Sequence, residues 1–279
     1  MTIQEISDRT EWEEFVRAQE PLTFLHSWEW GEVQRASDEG VERLGIYEDN
    51  RLIAVALVIL VKAKRGYHYL IPHGPLTTPG VVMGDVLVAL RDYFDDRARS
   101  DKAVALKIAP LLEANEENQQ LFRQAKFMPS PLHIHAELTW VLDINRSADE
   151  LLSGMRKTTR HAIKKAQSVG VTTEIITDPS AVERFWPLYE QTKQRHGFVP
   201  WSKHTIAEQL RIFGEHNRIF TVIARYQGED VAAAICPVYG TTTFYYHGAS
   251  KKLPSSVPAA QLLQWAAIQE AKERGCTQY

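Results

Sequence analysis

The sequence predicts an α+β protein made of one α/β unit used twice in tandem, each copy a mixed sheet flanked by helices. Three observations predict it: two stretches share one order of strands and turns, an amphipathic helix follows each, and a further strand follows each helix. The copies are offset by about 175 residues, the size of a domain and not of a solenoid repeat.

The first meander opens at Gly45 with "GIYEDNRLIAVALVILVKAKRGYHYLIPHGP". Asp49-Asn50 turns the chain, Leu52 to Val61 reads as a buried strand, Lys64-Arg65-Gly66 turns it again, and a third strand ends in His73-Gly74. The apolar run is about half of the ~20 residues that cross a bilayer, so it is a strand and not a membrane span. The helix "VLVALRDYFDDRARSD" and the strand "KAVALKIAP" follow, then a helix and turn in "LLEANEENQQLFRQAKFMPS".

The second meander, "TVIARYQGEDVAAAICPVYGTTTFYYHGAS", starts at Thr221 and has the same order. Its turns are at Gln227-Gly228-Glu229 and Gly240, and its third strand carries His247-Gly248, matching His73-Gly74. The helix "AAQLLQWAAIQEAKERG" follows, with Leu262, Leu263, Ala266 and Ala267 at helical spacing, then "CTQY" as the last strand. The predicted boundary lies near Asn145, giving units 1–144 and 145–279. The second copy stops at Tyr279 within the counterpart of a longer strand, so further chain is expected beyond it.

Composition narrows the function classes. At 279 residues, 44% hydrophobic and 24% charged, the chain has the profile of a globular protein, and its net charge of -3 offers no global field for a polyanion. Such contact needs a local basic patch. Two cysteines, Cys236 and Cys276, are too few for a disulfide scaffold or a cysteine zinc site, and "MTIQEISDRTEWEEF" is no signal peptide, which together indicate the cytoplasm. The phosphate-loop, serine-hydrolase and H-E-x-x-H patterns are absent from the sequence.

The local patch is "LLSGMRKTTRHAIKKAQSVGV", read as a helix from about Leu151 to Ser168. It sets Arg156, Arg160 and Lys164 on one stripe and Lys157, His161 and Lys165 on the next, with no acidic residue between Leu151 and Val171. Two readings stand: a solvated face beside an acidic neighbour, or contact with a polyanion. In "TKQRHGFVPWS" the helix "VERFWPLYEQTKQ" runs into Gly197, which puts Arg195 at a helix end. Its guanidinium either answers the helix dipole or forks onto phosphate oxygens. Trp28 and Trp30 share a face if "FLHSWEWGEVQ" is extended, for core packing or for stacking on a sugar or base. His133 and His135 share a strand face but have no third ligand, so no metal is expected.

These features together resemble the Fem family of peptidoglycan bridge-forming aminoacyltransferases (FemA/FemB/FemX type). The pattern lies in "SWEWGEVQ" (27–34), "IPHGP" (71–75), "MRKTTRHAIKKAQSVGV" (155–171), "LYEQTKQRHGF" (188–198) and "HGASKKLPSSVPAAQLLQWAAIQEAKERGCTQY" (247–279), nearly the whole chain. The resemblance implies two tandem copies of the GNAT-type acyl-CoA N-acyltransferase fold, the first on the muropeptide side and the second on the aminoacyl-tRNA side. It implies transfer of an amino acid from aminoacyl-tRNA to the stem amine of a UDP-linked or lipid-linked muropeptide precursor. The expected protein is a monomer without cofactor, in peripheral contact with the inner membrane face.

Carried onto this sequence, the resemblance assigns the precursor's diphosphate to Arg195, Arg35 and Gln34. It assigns the substrate pocket to Trp30, Tyr69, His73, Lys107, His196 and Tyr246, and tRNA to Arg156, Lys157, Arg160, Lys164 and Lys165. Three departures follow. Gln34-Arg35 replaces the Lys that relatives commonly carry, Ala109 replaces an acidic residue before the strand-ending Pro110, and the family's Phe-Lys motif would lie beyond Tyr279. That Lys is the expected oxyanion stabiliser, so no catalytic residue is named. Between Phe198 and Arg218 one short helix fits and a helical hairpin does not, which matches the compact FemX-like form. Two rivals remain. A CoA-dependent N-acyltransferase needs a glycine-rich loop where this chain has "KKLPSSVPAAQ". A non-catalytic duplicate would capture tRNA or muropeptide.

Overall fold

The computed structural model describes residues 1–63, 66–131, 134–136 and 138–279, which leaves Lys64 and Arg65 of the expected basic turn and His133 outside the described residues. Two compact units emerge, Met1–Thr139 and Trp140–Tyr279. The sequence placed the division at 144/145, and the difference has a local cause. Leu142 exchanges backbone hydrogen bonds with Tyr279, and the Ile144 N–H donates to the Thr277 carbonyl, which ties both to the end of the second unit.

The first unit runs β1 (Thr2–Glu5), α1 (Arg9–Arg17), α2 (Trp28–Ala36), β2 (Gly40–Glu48), β3 (Arg51–Ala63), β4 (Gly66–Pro72), β5 (Leu76–Thr77), α3 (Met83–Arg97), β6 (Ala103–Ala109) and α4 (Glu116–Gln124). Its sheet order is β1-β2-β3-β4-β6, with β5 also on β3. β4 and β6 are parallel and the other pairs antiparallel, so the sheet is mixed. Asp49 and Asn50 take φ of 49° and 63°, the left-handed pair that a two-residue hairpin requires. β3 is apolar without alternation because both its faces are covered. Ala54, Ala56 and Val58 cluster with Val86, Leu90 and Phe94 of α3, and Leu57 lies against Gly31 of α2 on the other side.

The second unit runs α5 (Ala148–Gly154), α6 (Lys157–Ser168), β7 (Thr172–Ile176), α7 (Ala181–His196), α8 (Lys203–Gly214), β8 (Ile219–Tyr226), β9 (Glu229–Tyr239), β10 (Thr242–Thr243), β11 (His247–Ser250) and α9 (Ala259–Glu273). Its sheet order is β10-β9-β8-β7, with β11 also on β9. Leu262, Leu263, Trp265, Ala267, Ile268 and Ala271 of α9 enter a core with Phe220, Val222, Ala234 and Cys236. Burying each large side chain contributes about 1.5–3 kcal/mol.

Two expectations change. The third strand of each meander is broken and not continuous. In the first unit His73–Pro75 leave the ladder before β5 rejoins β3 at Ala54 and Val55, and in the second the register slips by one residue between Thr243 and His247, with Phe244 and Tyr246 still donating to the Pro237 and Ile235 carbonyls of β9. His73-Gly74 therefore sits inside one break while His247-Gly248 opens the strand after the other. "CTQY" is reduced to bridges, Gln278 parallel to Thr242 and antiparallel to Asp143. The parallel bridge is the counterpart of β4 on β6.

Candidate functional site

The site of most chemical interest lies in the second unit, where α7 ends beside β11. α7 is stopped by Gly197 in the left-handed conformation at φ 69°, with its N–H on the Lys193 carbonyl. Pro187 is tolerated inside the helix, and the last turn carries Lys193, Arg195 and His196. Arg195 is exposed, as the sequence expected of a residue facing a loop. Its Nε donates to His196 Nε2 at 3.1 Å, Nη1 to the Ser250 carbonyl at 3.0 Å and Nη2 to Ser250 Oγ at 3.1 Å.

This guanidinium stands on the rim of a cavity of about 190 Å³ whose wall includes Thr192, His196, Tyr245, Gly248, Ser250 and Gln264. A Cβ on Gly248 would lie 1.8 Å from Tyr245 Oη, so a side chain there would displace the exposed Tyr245 ring. Behind the cavity, His247 is 5% exposed and its Nε2 lies 2.8 Å from Gln209 Oε1. Burial pushes this imidazole down to about 3, so it is neutral at ordinary pH. Tyr246 is half-buried with its ring 4.4 Å from that of His247, and burial raises its phenol. Of the expected pocket residues, the structure brings His196 to the cavity rim with Arg195 and leaves Tyr246 among the aromatic rings behind it.

The first unit treats its candidates differently. Trp30 is 2% exposed and packs edge-on to Phe24 at 5.6 Å, which makes it a core residue. Trp28 and Trp30 share no face, because Ser27 caps the N–H of Trp30 and starts a helix where an extended stretch was considered. Tyr69 is also core, against Phe94 at 4.2 Å with its hydroxyl on Asp101. Gln34 is 4% exposed and cannot meet a ligand at the surface as packed. Arg35 is exposed, but bonds Glu32 at 2.9 Å and the Val41 carbonyl at 3.2 Å. The two neighbours therefore do not form one diphosphate contact. Lys107 is half-exposed on β6 opposite Leu70.

His73, at φ 52°, shares a 2.9 Å hydrogen bond with Thr23 and stands edge-on to His135 at 5.4 Å. Burial holds both rings near 4. No group of three or more metal-ligating side chains is found among the described residues.

The basic segment is two helices and not one. Ser147 and Glu150 form a capping box that starts α5, and the chain extends at Met155, directly after Gly154, before α6 begins. Arg156 stands at the N-cap position of α6 without a side-chain cap, its carbonyl accepting the Arg160 N–H at 3.1 Å. Arg160 is half-buried and turns its Nη1 onto the carbonyls of Ser153 (3.0 Å) and Met155. Arg156, Lys157, His161, Lys164 and Lys165 remain exposed.

Sequence reasoning missed Ser250, Thr192 and the Gln209–His247 pair, which meet their partners only through the fold. It also missed Arg43, 1% exposed, whose guanidinium lies 3.6 Å from the Trp28 ring centre and bonds the Trp28 carbonyl and Glu32.

Comparison with known proteins follows the same two units. Residues 7–128 match the FemAB family, and residues 153–279 match the acetyltransferase (GNAT) domain. The lipid II:glycine glycyltransferase of Staphylococcus aureus (strain MRSA252) is 24% identical over 202 residues, covering 66% of this chain and 46% of the relative. The chain thus spans about half the length of the curated relatives it matches. Among solved structures, FemX superposes with a TM-score of 0.79 at 18% identity, covering 100% of this chain and 88% of that one. A tandem GNAT protein from the clavulanic acid biosynthesis pathway gives a TM-score of 0.60 at 13% identity, over 99% of this chain and 88% of the other. The fold is accordingly a tandem pair of GNAT domains, and its first unit is similar to the FemAB family.

Proposed function

We propose that this protein is an aminoacyltransferase that moves an amino acid from aminoacyl-tRNA to the stem-peptide amine of a peptidoglycan precursor, UDP-linked or lipid-linked. The observation that carries the reading is the Arg195 guanidinium, held at a helix end on the rim of the second unit's cavity, in a chain whose first unit is similar to the FemAB family. Three of the five N–H groups of an Arg are engaged on Ser250 and His196, which leaves one on each terminal nitrogen for diphosphate oxygens. The exposed cations Arg156, Lys157, Lys164 and Lys165 around α6 supply the local patch for tRNA phosphates that a net charge of -3 does not supply globally. Aminoacyl-tRNA is a cytoplasmic donor, so the reaction belongs in that compartment, at the membrane face if the acceptor is lipid-linked.

The chemistry is ester aminolysis. The acceptor nitrogen attacks the ester carbonyl, a tetrahedral oxyanion forms, and the ribose oxygen leaves with the proton that the amine gives up. Positioning of amine against ester carries much of such a rate, because the bimolecular step becomes effectively unimolecular. Arg195 would act at the diphosphate, remote from the reacting amine. Arg195→Ala is therefore expected to raise the KM for precursor about ten- to a hundredfold, with kcat retained at saturation.

The test is transfer of radiolabelled amino acid from a mixed aminoacyl-tRNA pool to UDP-N-acetylmuramoyl-pentapeptide and to its lipid-linked form by the protein. Calorimetry with acetyl-CoA runs beside it. Acetyl-CoA binding without aminoacyl transfer would move the protein to the CoA-dependent N-acyltransferases. Capture of tRNA or muropeptide without transfer would make it a binding protein.

A further inference from the structure

We propose that Thr192 and Ser250 are positioning residues that form a clasp holding the Arg195 guanidinium on the cavity rim, and so set precursor affinity. The inference rests on Arg195 being the diphosphate contact. Thr192 and Arg195 lie three apart on α7, hence on one side of its last turn, and Ser250 is the last residue of β11.

Every polar group of Ser250 is tied to that turn. Its N–H donates to Thr192 Oγ1 at 2.9 Å, its carbonyl accepts from Arg195 Nη1 at 3.0 Å and its Oγ accepts from Arg195 Nη2 at 3.1 Å. The Thr192 hydroxyl completes the clasp by donating to the Leu188 carbonyl at 2.8 Å, with the Ser250 carbonyl at 3.2 Å as its alternative acceptor. Its lone pair is thereby turned to the strand. Thr192, Arg195 and Ser250 all line the cavity.

An exposed arginine has many rotamers, and a ligand that needs one of them must overcome the loss of the others. The clasp removes that freedom before the ligand arrives, and preorganisation of this kind appears as affinity. The clasp spends only one hydrogen of each terminal nitrogen, so holding the fork does not block it. Neither Thr192 nor Ser250 need touch the reacting atoms.

The experiment is calorimetric titration of the full chain with UDP-N-acetylmuramoyl-pentapeptide and with the muramoyl pentapeptide lacking the nucleoside diphosphate. Thr192→Val and Ser250→Ala are each expected to raise Kd for the first probe about three- to tenfold and to leave the second unchanged. Thr192→Ser and Ser250→Thr, which keep the hydroxyl, should restore binding. In an Arg195→Ala background neither Thr192→Val nor Ser250→Ala should weaken binding further, because their effect passes through the guanidinium.

Two results overturn the inference alone: weak binding by Arg195→Ala with Thr192→Val and Ser250→Ala silent, or losses that add fully to that of Arg195→Ala. A silent Arg195→Ala overturns the diphosphate reading and the clasp with it. Thermal melting of each variant guards against misfolding, and if Thr192→Val does not fold, the Ser250→Ala and Ser250→Thr arms decide.

Discussion

At the scale of single residues, close approach and buried imidazoles govern what the protein tolerates. Gly74 lies so near His26 that a Cβ there would fall 2.3 Å from the ring, and His26 is fully buried with its Nε2 accepting the Leu57 N–H at 3.0 Å. The ring cannot move aside without breaking that bond. Gly74→Ala is expected to destabilise the first unit by about 2 kcal/mol, read as a lowered urea midpoint at unchanged slope.

Burial also holds His26 and His247 near 3, against the ordinary 6.5 they regain on unfolding. Below about pH 6.5 the unfolded chain takes up protons that the folded chain refuses. Stability is therefore full above that pH and falls as pH drops from 6.5 toward 3, by up to about 1.4 kcal/mol per pH unit for each imidazole. His247→Gln keeps a donor for Gln209 and removes the titration. Denaturation series at pH 7, 6, 5 and 4 should show a shallower acid loss in this variant, and an unchanged acid slope would sink the assignment.

At the scale of elements, the break between α5 and α6 separates two kinds of cation. Arg160 spends its guanidinium on the carbonyls that end α5, so Arg160→Ala should cost about 1–2 kcal/mol of stability while leaving the salt dependence of tRNA binding nearly intact. Lys157, Lys164 and Lys165 are exposed on α6, and replacing all three with Ala should do the reverse. Melting temperature should hardly change, while affinity for tRNA of any sequence falls and the slope of log K against log salt flattens by up to about three. Filter binding from 50 to 200 mM salt separates the two. An unchanged slope in the triple variant returns α6 to a solvated face.

At the scale of the molecule, each unit carries its own hydrophobic cluster, one built on β3 and α3 and the other on β8, β9 and α9. The segment at the division includes Leu138 at 89% and Trp140 at 88% exposure. Limited chymotrypsin digestion is therefore expected to cut there first and yield two fragments of similar size that resist further cleavage, seen by mass spectrometry. Early cuts inside β3 or β9 would contradict two separately closed cores. No described helix is long and apolar enough to cross a membrane.

The sequence by itself determined the features that neighbours along the chain decide. The Asp49-Asn50 and Gln227-Gly228 turns, the helical spacing of α9 and the stop of α7 at Gly197 depend on backbone preferences and periodicity within a few residues. Meander, helix and strand in repeated order are the sum of such local terms, so the duplicated architecture was legible before any coordinates. The site was legible only in part. Arg195 could be placed at a helix end, but its clasp joins residues 55 apart in sequence through the docking of β11 on α7. Arg160 looked like one more free cation until the chain bent at Met155 and offered it two carbonyls. Trp30, Tyr69 and Gln34 were assigned to the substrate by the resemblance and are buried in the structure, because a matched motif carries residue type and not depth. Which side chains are covered depends on how helices lie on each sheet, and only tertiary packing, where the energy of burial is collected, decides that.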